Sequence, residues 1–310
     1  MVDSPIVHWF PGHMAKAMRM INEYVKKVDV VIELLDARIP RSSANPVILE
    51  VVGQKPHIVL LNKVDLADPA VTKEWVEFFT KQGITVLTMD SKSGKGNKKL
   101  LSTVERLSKP IIDKWVAKGI RSRSVRTIIL GIPNVGKSTL INSLAGSAAT
   151  RTANKAGHTR GQQWVKIGKN LELLDTPGVL WPKLEDQRAA ARLAMTGAIS
   201  DDVYDLENVM KQLLQYLQDH NPSILVERYK LKPEEMESVD TILENIGRRR
   251  GCLVSGGIVD LDKARRVILQ DYRNSKLGNI TLDTVDEEPY YGEDGQSKTS
   301  GEEPFTTGNK

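Results

Sequence analysis

The sequence has a single cysteine, Cys252, among its 310 residues. No disulfide can therefore form within the chain, and a reducing compartment is the simplest setting for it. A lone cysteine usually behaves as a small buried apolar residue. We therefore expect Cys252 to lie in a hydrophobic core.

Long hydrophobic runs are also absent. No apolar stretch approaches the roughly 20 residues that a membrane-spanning helix requires. The first residues are interrupted by Pro5 and Pro11 and lack the apolar segment of a signal peptide. We therefore expect no membrane span and a cytoplasmic location.

Acidic residues are fewer than basic residues except at the C-terminal end. From Asp283 onward there are eight acidic and two basic residues, whereas residues 1–282 carry 42 Lys+Arg against 31 Asp+Glu. A basic folded part indicates a polyanionic partner such as nucleic acid, although charge that only maintains solubility is the alternative. Residues 283–310, which are acidic and rich in Gly, Pro, Ser and Thr, are predicted to be a disordered tail.

Apolar runs and helical patterns alternate along the first part of the chain, which predicts an α/β fold with a mostly parallel sheet. Beyond Asp186 the patterns are only helical, at about 187–195, 202–218, 222–229, 233–246 and 260–273. We predict an α/β domain over residues 1–185 and a small all-helical domain over 186–282. The predicted strands cover about 30–35, 57–61, 85–89, 125–130, 164–167 and 171–174.

The stretch from Gly131 to Ser138 fits the phosphate-binding loop pattern G-x-x-x-x-G-K-[ST]. It follows an apolar, β-branched run and precedes a helical pattern, an arrangement that directs backbone N–H groups toward a polyphosphate. Lys137 would supply positive charge to the β- and γ-phosphates, and Ser138 would bind Mg²⁺. The alternative is a glycine-rich turn that binds nothing. The predicted nucleotide-binding residues of this loop are Asn134, Val135, Gly136, Lys137, Ser138 and Thr139.

A second motif, Asn62-Lys63-Val64-Asp65, follows a predicted buried strand. The Asp65 carboxylate can accept two hydrogen bonds from the ring N–H and exocyclic amine of guanine, a donor pair that adenine lacks. Asn62 would brace the loop, and the Lys63 stem would lie along the ring. The alternative is a turn with a surface charge pair. With the phosphate loop, the motif predicts GTP and GDP as ligands.

A third motif, Asp175-Thr176-Pro177-Gly178, follows the last predicted strand. Asp175 would hold Mg²⁺ through water, and the Gly178 N–H would meet the γ-phosphate. Residues 149–162 lack apolar periodicity and are predicted to be a mobile loop that supplies a threonine to the metal. Thr159 is our candidate, and Thr150 and Thr152 remain alternatives.

These motifs resemble those of the Ras-like, translation-factor class of GTPases, but in the order of the circularly permuted GTPases. The resemblance implies a circularly permuted P-loop GTPase domain and adds Asp90, Ser91 and Lys92 to the nucleotide-binding residues. Three further segments resemble the bacterial ribosome biogenesis GTPase A family over roughly residues 5–280. They are residues 9–16, 36–40 and 175–182.

Hydrolysis needs a group that orients the attacking water. Ras-like enzymes use a glutamine just after D-x-x-G, but Val179 stands there and cannot do it. His13 is our candidate catalytic residue, and a helix-capping or packing role is the alternative. Asn134 resembles the asparagine with which some GTPases of this class use K⁺, and a simple loop-bracing role is its alternative.

The resemblance implies the large (50S) ribosomal subunit and its RNA as partners of a monomer, with the helical domain in contact. Two arginine groups are candidate phosphate contacts, with solvated charge as the alternative. The predicted function is a GTP-gated assembly factor that binds the subunit with GTP and leaves after hydrolysis. The rivals are an RNA-binding scaffold or nucleotide sensor, and a GTPase acting on the small subunit or on tRNA. The arginine groups are Arg121, Arg123 and Arg126, and Arg248, Arg249 and Arg250.

Overall fold

The computed structural model describes residues 12–120, 123–147, 163–178, 180 and 186–287. The predicted Thr159 and its two alternatives lie outside these ranges, as do Val179 and Arg121. The backbone of His13 is described, but its side chain lies outside the described part.

The first part of the chain alternates strands and helices. Its elements are α1 Gly12–Val25, β1 Val30–Asp36, α2 Pro40–Ser43, α3 Pro46–Val52, β2 His57–Asn62, α4 Pro69–Lys81, β3 Thr85–Thr88, α5 Asn97–Ala117, β4 Val125–Gly131, α6 Lys137–Ser147, β5 Gln163–Ile167 and β6 Leu171–Asp175. The second part is helical, with α7 Gln187–Met195, α8 Leu206–His220, α9 Pro222–Tyr229, α10 Val239–Arg249 and α11 Leu261–Arg273.

The six strands form one sheet in the order β3-β2-β1-β4-β6-β5. All neighbours are parallel except β5, which is antiparallel to β6. Strand β1 lies in the middle and is buried along its whole length, as its continuous apolar run predicts. The predicted α/β fold with a mostly parallel sheet is confirmed.

Helices cover both faces of the sheet, so successive residues of a strand enter different hydrophobic clusters. Val31 of β1 packs with Ile21 of α1 and Ile128 of β4. Its neighbours Val30 and Ile32 belong to the larger cluster on the other face. This packing fixes the sheet register and therefore the positions of the loops at the strand ends.

The predicted helix over 233–246 is wrong, because the structure divides it. A short 3₁₀ turn at Pro233–Glu235 is followed by α10, which begins after Ser238. The Ser238 hydroxyl accepts a hydrogen bond from the Thr241 N–H at 3.1 Å and caps the helix. Cys252 is fully buried in the hydrophobic cluster, as expected.

Residues 281–287 run back over the α/β part. The Leu282 N–H donates to the Arg38 carbonyl at 2.8 Å, and the buried Asp283 carboxylate accepts from the Ser42 N–H and hydroxyl. The predicted tail therefore begins with a fully buried residue, Asp283, while 288–310 lie outside the described residues. Within the described ranges, no helix is long and apolar enough to cross a membrane.

Candidate nucleotide-binding site

Four strands bring the sequence motifs to one edge of the sheet. β1, β2, β4 and β6 run parallel and end at Asp36, Asn62, Gly131 and Asp175. Ligands of open α/β sheets bind beyond this carboxyl edge. The motifs are far apart in the sequence, and the parallel sheet places them side by side.

The phosphate-binding loop needs its glycines for steric reasons. Gly131 and Gly136 have φ angles of 156° and 107°, which disfavour residues with a side chain. A Cβ atom at Gly131 would lie 2.6 Å from the Leu34 carbonyl oxygen, and one at Gly136 would lie 2.5 Å from Asn62 Nδ2. At these two positions the loop therefore packs against β1 and β2 with no room for a side chain.

Lys137 begins α6, and its ammonium group is held inside the loop. Its Nζ donates to the Gly131 and Ile132 carbonyl oxygens at 2.9 Å each. Burial lowers the pKa of Lys137 from 10.5 to about 8, although the nearby Asp175 carboxylate opposes this effect. A phosphate at this site would favour the charged form of Lys137. Ligand binding would therefore offset the free-energy cost of burying this charge in the nucleotide-free protein.

We expect the nucleotide-free protein to pay for this buried charge in stability. Unfolded Lys137 is protonated up to pH 10.5 and the folded residue up to about pH 8. Its contribution to the free energy of unfolding should therefore rise by about 3 kcal/mol between pH 8 and 10.5, and stay at its low value below pH 8.

Lys137→Met should remove this rise and abolish tight GTP binding. Urea unfolding of both nucleotide-free proteins at pH 7, 8, 9 and 10 measures the difference, since other titrating groups are common to both. If the free energies of unfolding of the two proteins change in parallel with pH, the buried charge of Lys137 is not destabilising.

Asn62 joins three of the motifs. Its Nδ2 donates to the Val135 carbonyl at 2.8 Å, and its Oδ1 accepts from the Ser91 N–H at 3.1 Å and hydroxyl at 2.8 Å. Asn62 and Ser91 are both buried. The asparagine therefore holds the base motif, the phosphate loop and the Asp90–Lys92 segment in one arrangement.

A cavity of about 370 Å³ lies where these motifs meet. Asp65 is exposed there, so its carboxylate is available to a base, and Asp90 holds its own loop by accepting from the Lys92 N–H at 2.9 Å. Two residues of the cavity, Arg273 and Asn274, come from the helical part. The other lining residues are Asn62, Lys63, Asp65, Leu66, Asp90, Ser91, Lys92, Gly136 and Thr139.

Lys63 takes part in a buried ion cluster that sequence reasoning missed. Its Nζ lies 2.9 Å from Asp36 Oδ2, and Arg38 pairs with the same carboxylate at 2.7 Å. Burial alone would raise the pKa of Asp36, but these two cations hold it well below its usual range. Arg38 also donates to the Thr196 carbonyl at 3.3 Å. The base motif is thus connected to the helical part through Asp36 and Arg38.

The residues predicted to hold Mg²⁺ suit that ion chemically. Asp175 is 2% exposed, and its charge acts on Lys137. Ser138 follows Lys137 in the first turn of α6. Carboxylate and hydroxyl oxygens are the ligands that Mg²⁺ prefers, with phosphate oxygens and water completing its shell. Gly178 packs on the loop, because a Cβ there would lie 2.5 Å from Pro133 Cα.

Asn134 reaches out of the loop toward the helical part. It has a φ angle of 56°, and its Nδ2 donates to the Gly197 carbonyl just beyond α7 at 2.8 Å. The loop-bracing role, which was the alternative for Asn134, therefore has a specific partner in the Gly197 carbonyl. The side-chain oxygen is not needed for this bond and can serve another ligand.

The arginines proposed for phosphate contacts differ in their surroundings. Arg123 forms two bonds of about 3 Å with Asp29, and Arg126 lies over the Trp164 ring. Arg249 pairs with Glu235 and bonds to the Lys230 carbonyl. Arg248 pairs with Glu244 on its own helix and is more than half exposed. Arg248 is therefore better placed to meet a partner than Arg249.

Comparisons with known proteins agree with this geometry. A family model described as 50S ribosome-binding GTPase matches residues 126–229. The Bacillus cereus protein named ribosome biogenesis GTPase A is 48% identical over 91% of this chain and 95% of its own length. The mouse mitochondrial ribosome-associated GTPase 1 is 33% identical over 90% of each chain. A crystal structure of GNP-bound YlqF from T. maritima gives a TM-score of 0.62 at 28% identity, covering 88% of this chain and 100% of that one.

Proposed function

The chain belongs to the ribosome biogenesis GTPase A family and hydrolyses GTP, and from this we propose that it is a GTP-gated assembly factor of the large ribosomal subunit. The GTP state binds the subunit, and hydrolysis releases the protein. A role in ribosome biogenesis follows from the family, whereas the 50S subunit and the release step are our proposal. The phrase 50S ribosome-binding in the description of the matching family model supports the choice of subunit.

One structural observation carries the gating proposal. The D-x-x-G segment that follows β6 leads along the chain into α7, the first helix of the helical part. The residue just beyond the C-terminal turn of α7, Gly197, accepts a hydrogen bond from Asn134 of the phosphate loop. A γ-phosphate that repositions either segment would therefore bias the helical part.

The proposed chemistry uses the residues at the carboxyl edge. Lys137 neutralises β- and γ-phosphate charge, Asp65 selects guanine, and the Gly178 N–H meets the γ-phosphate. Ser138, Asp175 and Thr159 would hold Mg²⁺, which supplies charge stabilisation to the phosphates when bound. We also propose that the Asn134 side-chain oxygen helps to hold K⁺, which turnover in potassium and sodium salts tests. His13 orients the attacking water.

GTP turnover with purified large subunits tests the proposal, with small subunits as the matched control. We expect stimulation by the large subunit alone, and retention of the protein on it with a non-hydrolysable GTP analogue but not with GDP. Equal rates under all conditions, with tight GTP binding, would instead indicate a nucleotide sensor. Stimulation by the small subunit or by tRNA would move the function to those partners.

The helical part has an exposed basic notch that we propose as its ribosomal RNA contact. A cavity of about 500 Å³ is lined by four cations and two carboxylates, which are Arg250, Lys263, Arg266, Lys276, Asp260 and Asp271. Asp271 pairs with Arg250 and Lys276, so Lys263 and Arg266 are the cations of this notch that Asp271 does not pair. Lys263 and Arg266 are exposed on α11. RNA backbone is bound mainly by such cations, because phosphate neutralisation releases counterions.

Lys263→Glu with Arg266→Glu should weaken large-subunit binding about 10- to 100-fold and lower its salt dependence. The matched control is Lys73→Glu with Lys109→Glu. It makes the same change in net charge at two exposed lysines of the α/β part. Quantitative sedimentation with subunits at several salt concentrations compares the pairs. Equal losses would indicate a general charge effect, and no loss would place the contact elsewhere. Arg249 is left intact, because its bonds to Glu235 and Lys230 brace the fold.

A further inference from the structure

The cavity assigned to guanine is not built by the α/β part alone. Arg273, the last residue of α11, and Asn274, its C-cap, line it together with the base motif and the Asp90–Lys92 segment. Neither residue belongs to a nucleotide-binding motif, and both lie more than 200 residues along the chain from Asp65. The helical part therefore contributes one side of this cavity.

Arg273 holds this side of the cavity in place. It donates to the Ala194 carbonyl at 2.8 Å and the Met195 carbonyl at 3.1 Å, at the C-terminal end of α7. It also pairs with Asp201 at 2.9 Å. Carbonyl groups at a helix end lack partners within the helix and carry partial negative charge, so a guanidinium is well suited to them.

The same helix end is bonded to the nucleotide site at two further points. The next carbonyl, of Thr196, accepts from Arg38, and the following one, of Gly197, accepts from Asn134. Four successive carbonyls thus receive donors from α11, from the segment after β1 and from the phosphate loop. This junction fixes the end of α11 relative to both the base motif and the phosphate loop.

Asn274 presents an amide to the cavity. Its Nδ2 donates to the Gln270 carbonyl at 2.8 Å, which uses one of its two N–H donors and leaves its oxygen to accept another bond. The residue is exposed on the cavity side of the junction. An amide group can pair with a base edge or a ribose hydroxyl.

We infer that the helical part completes the guanine nucleotide pocket, with Asn274 as a nucleoside-binding residue and Arg273 as the residue that positions it. The inference rests on the proposed assignment of this cavity to guanine. Because the nucleoside then touches both parts of the protein, its binding and the placement of the helical part are thermodynamically linked. A partner that moves the helical part would change nucleotide affinity.

Asn274→Ala should weaken GDP binding about fivefold, as expected for one neutral hydrogen bond. The matched control is Asn245→Ala, because Asn245 makes the same side-chain bond to the carbonyl four residues back, on α10 and outside the cavity. Isothermal titration calorimetry of the full chain measures both. The control should bind GDP like the wild type.

A panel of GDP analogues separates direct contact from an indirect effect. Each analogue lacks one group: inosine diphosphate, 7-deaza-GDP, 6-thio-GDP, 2′-deoxy-GDP and 3′-deoxy-GDP. The Asn274→Ala effect should disappear for the analogue that lacks the partner group. Unchanged GDP affinity, or an equal loss with every analogue, would overturn the inference.

The Asp65→Ala variant distinguishes failure of this inference from failure of the assignment of the cavity to guanine. If Asp65→Ala loses GDP binding while Asn274→Ala does not, only the inference about the helical part is wrong. If Asp65→Ala binds GDP normally, the cavity is not the guanine pocket. The conservative Arg273→Lys variant should weaken GDP binding and lower the melting temperature together, because the positioning bonds of Arg273 also stabilise the junction.

Discussion

Asp65→Asn should reduce GTP affinity by about 10²- to 10⁴-fold. The carboxylate accepts two hydrogen bonds from guanine in the proposed pocket, and bonds to a charged group contribute about 1.5–3 kcal/mol each. The amide of asparagine can accept only one of them and turns an N–H toward the other donor. Asp65 is exposed in the cavity, so the change should leave the fold intact.

The same variant should gain affinity for xanthosine triphosphate, whose base has a carbonyl where guanine has its amine. Competition binding with GTP and xanthosine triphosphate measures both effects. Asp68→Asn is the matched control, because Asp68 caps α4 through bonds to the Ala70 and Val71 N–H groups, and asparagine caps equally well. An unchanged preference for GTP in the Asp65 variant would remove this residue from base selection.

His13→Ala should lower GTP turnover by about 10²- to 10³-fold while GTP affinity changes little. General acid–base groups contribute on this scale, and Val179 cannot orient water. The course of the chain supports a position of His13 near the nucleotide site. α1 ends at Val25, shortly before β1 begins at Val30, and both pack through Ile21 and Val31 in one cluster. The helix should therefore run antiparallel to β1, and we expect its first turn, with His13, to lie near the carboxyl edge.

Single-turnover rates across pH 5–9 test the role of His13. If His13 takes part in the chemistry, the pH dependence of the wild-type rate should differ from that of the variant. If His13 only caps or packs α1, the variant should instead melt at a lower temperature and hydrolyse GTP normally. Calorimetric GTP affinity of both proteins separates binding from chemistry.

Local patterns were sufficient to predict the strands and the need for glycine at two positions of the phosphate loop. A buried parallel strand needs a continuous apolar run, which β1 has, and a loop that wraps phosphate needs glycines at Gly131 and Gly136. These requirements are met by neighbouring residues, so they are visible in the order of amino acids. The division of the predicted 233–246 helix was missed because Ser238 can sit within a helix or cap one, and the local pattern did not show which.

The connections between motifs came only from the folded chain. Asn62 meets Val135 and Ser91, Arg38 meets Thr196, and Arg273 meets the end of α7 across long sequence separations. The local sequence around a polar side chain does not identify its distant partner, because the partner is set by how the sheet and helices pack. For the same reason nothing in the sequence pattern pointed to Arg273 and Asn274 as lining residues of the cavity beside the base motif. Residue order thus specified the chemical groups, and tertiary packing specified which of them share a site.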